Sequence, residues 1–401
     1  MLRRVLEGIR VVEVASMILV PAAGAVMADF GADVVKVEAP EGDQNRSLHE
    51  LPGLPDSDIP YSFVMDNRGK RGIALDLKTA DGLAVLHRLL ATADVFLTNY
   101  RAAALERLRL RYEDVAQRNG RIVYASGTGF GEQGPEAAKP AYDTVVYWSR
   151  SGIETSLLTP DGALGQIPAG SGDHPSAMSL FGAVMLALFA RERTGRGAKV
   201  TTSLLANGVW ANAALIQAQL CGATFHPKVP RERGQALSVY YRTRDGRALK
   251  FSFVNPAKLW PRLCGALGRP DLVADERFAQ AAPRRANAAA LIAILDPIIA
   301  GHDAVYWKDR LEAYDLPFAI LPTYAEIAAD EQMLANGLLP EFDHPRFGAL
   351  RTVDSPITVA GIDKRRPQPA PEHGQHTAEV LAELGYSKKE IADFLARGIA
   401  T

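Results

Sequence analysis

Short apolar runs alternate with helix-compatible segments through the first third of the chain. The runs of branched apolar side chains predict strands over residues 9–14, 34–37, 94–98 and 121–125. The segments between them predict helices over residues 21–30 and 79–92. Strands that alternate with helices of this length predict a mostly parallel sheet with helices on both faces.

The pattern changes in the second half of the chain. Two stretches rich in leucine and alanine, residues 176–193 and 204–220, predict long helices. Residues 240–254 then predict a β-hairpin, because the Asp-Gly pair at 245–246 suits a tight primed turn. Helical segments follow to about residue 315, so this part of the chain is expected to form a smaller α+β unit.

A proline-rich stretch, residues 367–371, precedes the last predicted element. Behind it, apolar positions at helical spacing predict an amphipathic helix over residues 377–395. With 401 residues, the chain is long enough for two domains with separate cores. The prediction is therefore an α/β fold with a second, smaller α+β domain.

Composition and charge narrow the possible partners. Hydrophobic residues make up 47% and charged residues 23% of the chain, and the formal net charge is −1, as in ordinary soluble globular proteins. We therefore expect neither a nucleic acid nor a membrane as partner, and an anionic ligand would need a local basic cluster. Cys221 and Cys264 are too few for a disulfide framework, which favours the cytoplasm.

Several common catalytic motifs are absent from the sequence. The residues after the first predicted strand, 15–18, do not contain the G-x-G-x-x-G of dinucleotide sites, and residues 194–199 lack the phosphate-loop spacing. The eight histidines are scattered, so no metal site is predicted. No G-x-S-x-G sequence marks a serine hydrolase. Four glycines, at 127, 129, 131 and 134, crowd a loop at the carboxyl end of a strand, where such folds bind ligands.

Asp173 stands immediately before the predicted helix over residues 176–193, in the sequence Ala-Gly-Ser-Gly-Asp-His-Pro. One interpretation is a helix N-cap, because aspartate oxygens accept hydrogen bonds from the first turn. A second interpretation is a nucleophile, since a carboxylate at a helix start is kept ionised and oriented. The two are compatible, and the residues alone leave both open.

Seven sequence blocks occur in an order typical of one enzyme family. They are LEGIRVVE (6–13), FGADVVKVE (30–38), KRGIALDLK (70–78), NYR (99–101), LERL (105–108), RERTGRGAKV (191–200) and EHGQHT with LGY (372–386). The chain resembles the family III coenzyme A transferases, which include formyl-CoA transferase, carnitine and bile-acid CoA transferases, and alpha-methylacyl-CoA racemase. The resemblance covers nearly the whole length and implies a Rossmann-like large domain.

Position by position, the resemblance implies a set of contacts with coenzyme A, which acts as a substrate and not as a permanently bound cofactor. The implied contacts are Met17, Ile18, Leu19, Leu75, Lys78, Asn99, Tyr100, Arg101, Arg107, Lys139, Tyr142 and Asp143. Coenzyme A carries a pyrophosphate and a 3′-phosphate, which basic side chains bind well. Lys78, Arg101 and Arg107 would supply this local positive charge.

The resemblance also assigns the nucleophile to Asp173. Its carboxylate would attack an acyl-CoA to give an acyl-aspartyl anhydride, and the released thiolate would then form an aspartyl-CoA thioester. The thioester passes CoA to an incoming carboxylic acid, so one difficult exchange is divided into easier steps. Backbone N–H groups of the turn at residues 170–172 are candidates for stabilising the oxyanion.

Alternatives of other classes remain. Racemases of this family carry a histidine in the position of Tyr142, and tyrosine is a poor base near neutral pH, which favours the transferase. His174 is a second candidate base. Intramolecular CoA transfer is a further activity of the same fold, and a non-catalytic acyl-CoA-binding protein would be expected to lack the nucleophile.

Two departures from the family concern the substrate. Formyl-CoA transferase has a glutamine where this chain has Ile18, and residues 254–258 replace its glycine-rich active-site loop. Both differences argue against oxalate or formate and favour a larger or less polar acid.

The resemblance finally implies a homodimer whose two chains interlock. A large domain would then comprise residues 1–200 and 330–401, and a small domain residues 222–318. Residues 201–221 and 319–329 would be connectors.

Overall fold

The computed structural model describes residues 4–253 and 255–401. Val254, the end of the predicted hairpin and the start of the segment 254–258, lies outside the described residues. The described chain divides into two compact units. Unit 1 contains residues 4–157, Gly165–Ala223 and Glu331–Thr401, and unit 2 contains Leu158–Leu164 and Thr224–Asp330.

Unit 1 is built on a six-stranded parallel sheet with the order β3-β2-β1-β4-β5-β6. Its strands are β1 Arg10–Val14, β2 Asp33–Glu38, β3 Arg71–Ala74, β4 Val95–Thr98, β5 Val123–Thr128 and β6 Ala198–Ser203. The predicted parallel α/β sheet is thus confirmed. Side chains alternate between its two faces. Val11 packs with the helices Leu19–Asp29 and Asp173–Thr194 on one face, while Val12 packs with Ala80–Ala91 and Thr377–Glu383 on the other.

Helices cover both faces of this sheet. Along the first part of unit 1 they are α1 Leu19–Asp29, α2 Tyr61–Asp66, α3 Ala80–Ala91, α4 Ala102–Arg107, α5 Tyr112–Ala116, α6 Ile153–Leu157, α7 Asp173–Thr194, α8 Leu204–Ala211 and α9 Ala213–Leu220. A 3-10 helix, Gln44–Glu50, and a π-helical segment, Thr144–Arg150, lie between them. The predicted helix over 204–220 is two helices, because the chain leaves helical geometry at Asn212, whose amide donates to the Ser151 carbonyl.

Unit 2 has its own apolar core and a three-stranded antiparallel sheet. Its strands are β7 Tyr240–Arg242, β8 Ala248–Phe251 and β9 Phe318–Ile320. Its helices are α10 Pro256–Ala266, α11 Ala281–Ala286, α12 Ala288–Ile299, α13 Ala304–Ala313 and α14 Tyr324–Ala328, with short 3-10 helices Arg231–Arg233 and Pro270–Val273. The predicted hairpin turn is present between β7 and β8, with Gly246 at φ +79°.

The chain then returns to unit 1. This part contains α15 Glu331–Ala335, the antiparallel pair β10 Glu341–His344 and β11 Gly348–Arg351, and the helices α16 Thr377–Glu383 and α17 Lys388–Ala396. The prediction of one helix over 377–395 is wrong. Gly385 adopts φ +83°, which ends α16, and Ser387 caps the new helix by accepting from the Glu390 N–H.

One helix among the described residues is long and apolar enough to cross a membrane by length and composition, namely α7, and the bent pair α12 and α13 would be a second candidate. In this fold α7 packs against α1, β5 and β6. That is the position of a core helix in an α/β domain.

Candidate active site

The sheet reverses its strand order between β1 and β4. β2 pairs with β1 on one side, and β4 pairs with β1 on the other side. Open α/β sheets bind ligands at the carboxyl ends of the two strands between which the order reverses. Asn99 joins the two carboxyl ends, because its side-chain oxygen accepts from the Ser16 N–H at 3.2 Å and its amide donates to the Ser16 carbonyl at 2.7 Å. Asn99 therefore fixes the position of the loop that follows β1.

Met17, in this loop, has a left-handed backbone with φ +65°, which is uncommon for a residue with a Cβ. Its N–H donates to Asp43 Oδ1 at 3.0 Å, and its carbonyl accepts from Asn45 Nδ2 at 3.0 Å. Ile18 and Leu19 follow at the start of α1 and are buried. The strained backbone is thus fixed by side chains from a distant segment.

The other predicted contacts on this side lie in the loops after β3 and β4. Leu75 has no exposed surface, belongs to the core and donates its N–H to the Glu38 carbonyl at 2.9 Å, so the structure does not bring it to a ligand-accessible surface. Lys78 is exposed, at 3.8 Å from Glu41. Arg101 immediately precedes the short helix α4 and Arg107 is its last residue, and both are exposed. Tyr100 is partly buried against the core.

The remaining predicted contacts lie in the segment after β5. Lys139 forms an exposed ion pair with Glu136 at 2.7 Å, and both line an open cavity of about 490 Å³. Tyr142 is exposed. Asp143 is buried, and its carboxylate accepts from the Thr144 N–H at 2.8 Å and the Gly172 N–H at 3.0 Å. It therefore connects this segment to the turn that carries Asp173.

Asp173 is the first residue of α7, and the N-cap position is Gly172, with no hydrogen bond from a capping side chain. The N-cap interpretation of Asp173 is therefore wrong. A side chain at Gly172 would meet the Tyr147 ring at 2.6 Å, which explains why glycine is needed there. The Gly172 N–H is already bound to Asp143, so this part of the expected oxyanion site is also wrong.

The surroundings of Asp173 oppose its negative charge. Burial raises its pKa to about 7, and the neighbouring Asp143 and Asp66 carboxylates act in the same direction, while His174 opposes them. The expectation that the helix start would keep Asp173 ionised is thus outweighed by burial. A carboxylate that is poorly stabilised in its resting state gains more from bond formation, which suits a nucleophile.

His174 is the positive neighbour of Asp173. The imidazole Nε2 of His174 lies 3.0 Å from Oδ1 of the buried Asp66 in α2. The backbone N–H of His174 donates to the Gly170 carbonyl at 3.1 Å. Burial alone would lower the pKa of His174, but the hydrogen bond and charge of Asp66, together with the charge of Asp173, raise it above its usual value. A protonated imidazole beside Asp173 therefore favours the carboxylate form.

A glutamine at position 174 is expected to move the acidic limb of the pH–rate profile to higher pH. The resemblance implies that Asp173 reacts in its ionised form, so kcat/KM is expected to rise as pH passes about 7, and the loss of the imidazolium raises that pKa further. We expect a loss of roughly three- to tenfold at pH 6 and little change at pH 9. The exposed His302→Gln variant is the control, and an equal loss at both pH values would contradict this role.

The residues that sequence reasoning missed lie beneath the loop after β1. Glu13, Lys36 and Lys70 are fully buried and paired, and Asp43 joins Lys36 at 2.8 Å. The sequence does contain a signal for Glu13 and Lys36, because each is a charged residue between apolar neighbours in a strand. Asp66 gave no such signal, because its short helix was not predicted.

Among residues 4–253 and 255–401, no group of three His, Cys, Asp or Glu side chains could hold a metal ion.

Comparison with known proteins gives one consistent result. The sequence model described as CoA-transferase family III matches residues 6–377. The chain is 30% identical to (R)-2-hydroxy-4-methylpentanoate CoA-transferase of Clostridioides difficile, covering 97% of this chain and 98% of the relative. It is 31% identical to cinnamoyl-CoA:phenyllactate CoA-transferase of Clostridium sporogenes, covering 96% and 95%.

Solved structures agree with the sequence comparison. A CaiB/BaiF family protein from Brucella suis superposes with a TM-score of 0.83 at 30% identity, covering 95% of this chain and 100% of that one. A protein from Mycobacterium tuberculosis gives a TM-score of 0.79 at 32% identity, covering 94% and 98%.

Proposed function

The chain belongs to CoA-transferase family III and is an enzyme of that type, and we propose that it moves CoA from an acyl-CoA to a carboxylic acid through covalent intermediates on Asp173. The observation that carries the proposal is the placement of Asp173. It starts a long helix in a partly buried turn, with a raised pKa and a histidine beside it. A nucleophilic carboxylate needs this combination of reactivity and charge compensation.

Each step conserves one negative charge. The Asp173 carboxylate attacks the acyl-CoA carbonyl, the C–S bond breaks, and an acyl-aspartyl anhydride and CoA thiolate form. The thiolate attacks the aspartyl carbonyl and expels the acid, which leaves an aspartyl-CoA thioester. The second acid attacks this thioester to form a new anhydride and thiolate, and the thiolate then takes the acyl group and frees Asp173. No net proton is consumed, so His174 acts through its charge.

The acids themselves are proposed from two observations. Two relatives are named for acids with a branched or aromatic side chain, and the position of the family's glutamine is occupied here by buried Ile18. Both favour an acid that is larger and less polar than oxalate. CoA and its thioesters are substrates in this scheme, and neither a metal nor a bound cofactor takes part.

One experiment separates the proposal from its alternatives. Labelled CoA is followed between an acyl-CoA and free acids, with a parallel reaction in heavy water. CoA exchange without deuterium at the α-carbon supports the transferase, whereas deuterium without exchange indicates a racemase. Binding with neither result would indicate an acyl-CoA-binding protein, and label that stays within one molecule would indicate intramolecular transfer.

The covalent intermediate can also be trapped. Hydroxylamine converts an aspartyl-CoA thioester to a hydroxamate and releases CoA, so peptide mapping should find the modification at Asp173. Its occurrence on another carboxylate would reject the assignment.

We also propose that the enzyme is an interlocked homodimer. Large apolar side chains are exposed on α7, α8 and α9: Leu186 and Phe189 on α7, Trp210 on α8 and Leu220 on α9, with Leu186 at 72% and Trp210 at 81% exposure. α7 contacts α8, and α8 contacts α9. Large exposed apolar side chains on neighbouring helices are typical of a protein–protein interface. We further propose a cytoplasmic location, because Cys221 and Cys264 are both free thiols, as expected in a reducing compartment.

Interlocking makes a specific prediction about subunit exchange. Light scattering should give twice the chain mass of 43.3 kDa at any practical dilution, because linked chains cannot separate while folded. Tagged and untagged dimers should therefore form mixed dimers only after unfolding and refolding together. A monomer mass would contradict the dimer, and mixing of the native dimers within hours would contradict the interlocking.

A further inference from the structure

A cavity of about 450 Å³ opens beside His174 within unit 1. It is lined by Ile18, Leu48, Leu54, Ser57, Ile59, Tyr61, Ser62, Val64, Met65, Ala169, His174, Leu350, Arg351, Thr352 and Val353. Four parts of the chain thus form its walls: Ile18 before α1, the segment from Leu48 to Met65, the turn before α7 with His174 in its first turn, and the end of β11 with the two residues after it. A Cβ at Gly170 would meet Ile18 at 2.9 Å and His174 at 3.6 Å, so these side chains lie close to the turn that carries Asp173.

The chemistry of the lining is predominantly apolar. Its two basic side chains are already paired, because His174 lies against Asp66 and Arg351 binds Glu341 at 2.8 Å. Ser62 donates to Asp66 at 3.4 Å. A second carboxylate in this cavity would therefore lose water without gaining an uncompensated positive charge. The cavity suits a hydrocarbon chain better than a dicarboxylic acid.

We propose that this cavity binds the side chain of the acid substrate and selects monocarboxylic acids with an apolar chain of about six to ten carbons. The proposal rests on the proposed transferase function. The volume equals that of roughly fifteen water molecules in the liquid, enough for about a dozen non-hydrogen atoms. The acid's carboxyl group would remain near Asp173 and His174, while its chain extends between Leu48, Val64 and Leu350.

A series of acids tests the size and polarity of the cavity. With one acyl-CoA donor, acetate, butanoate, hexanoate, octanoate and 3-phenylpropanoate are compared as acceptors. We expect kcat/KM to rise about fourfold for each added methylene until the cavity is full. Succinate and oxalate should be poorer acceptors than hexanoate by at least tenfold. A preference for either dicarboxylate over hexanoate would overturn the inference.

Variants of Leu350 and Leu48 place the effect in the cavity. Leu350→Trp fills part of the cavity and should lower kcat/KM for hexanoate at least tenfold while leaving acetate nearly unchanged, so acetate also reports on folding. The matched control is Ala349→Trp, since Ala349 is exposed on the same strand and is not part of the lining. Leu48→Ala enlarges the cavity and should move the preference to longer acids.

The outcomes separate the two levels of the proposal. If acetate and hexanoate respond equally to Leu350→Trp, and Leu48→Ala leaves the chain-length preference unchanged, the cavity does not hold the acid while the transferase function stands. If the unmodified enzyme exchanges CoA with none of the acids, the proposed function fails.

Discussion

Replacing Asp173 with asparagine is expected to reduce CoA exchange by at least about 10⁴-fold, which corresponds to roughly 5.5 kcal/mol of transition-state stabilisation. The amide has nearly the same shape but cannot form the anhydride, so the covalent route is lost rather than slowed. Acyl-CoA binding should persist, because the proposed role of Asp173 is to react with the thioester, and the predicted CoA contacts are other residues. Exchange kinetics and calorimetric binding measure the two properties separately.

Two further variants complete this test. Asp173→Ala excludes slow restoration of aspartate by deamidation of the asparagine. Glu192→Gln changes an exposed carboxylate near the other end of the same helix and should leave exchange unchanged. Full turnover by both Asp173 variants would reject the covalent mechanism.

The pattern of apolar residues predicted the four central strands of the sheet but not its two edge strands. Strands β1, β2, β4 and β5 are rich in apolar residues because both of their faces are covered. The edge strands β3 and β6 were not predicted. β6 alternates polar and apolar residues in the segment Ala198–Ser203, and β3 has only four residues, Arg71–Ala74. Their pairing with neighbours in the sheet decides their conformation, and a local pattern does not contain that information.

The chemistry of the active site depended even more on tertiary structure. Asp173 could be recognised from its motif, but its raised pKa results from burial, Asp143 and Asp66, which come from separate segments. The role of Asp143 also differs from a simple ligand contact, because its carboxylate holds the Gly172 backbone. The sequence predicts Asp173 as the reacting group, whereas the side chains that shift its pKa can be identified only from the fold.

Sequence reasoning also missed the charge network below the loop after β1. Glu13 binds Lys70 at 2.8 Å and Lys36 at 3.2 Å, and all three side chains have no exposed surface. Lys70 also donates to the Pro21 carbonyl and to Asn67. Burial lowers the pKa of Lys70 to about 8, with Lys36 adding to the effect and Glu13 opposing it. Glu13 thus contacts two buried ammonium groups, and Asp43 provides a second carboxylate for Lys36.

Glu13→Gln is therefore expected to lower the free energy of unfolding by about 3–5 kcal/mol, because it leaves buried charges uncompensated. The double variant Glu13→Gln with Lys70→Met should recover part of this loss, since Lys36 retains its 2.8 Å contact with Asp43. Chemical denaturation of the single and double variants measures the coupling. Glu132→Gln, which breaks an exposed pair with Lys199, is the control and should cost less than about 1 kcal/mol.

The same variant tests whether the network serves the active site. Asp43 contacts Lys36 and also accepts from the Met17 N–H, so a displaced Lys36 would release the left-handed loop after β1. In the surviving folded protein we expect the KM for acyl-CoA to rise while the pH at which Asp173 ionises stays the same. Unchanged stability of Glu13→Gln would contradict the buried ion pairs, and an unchanged KM would limit the network to folding.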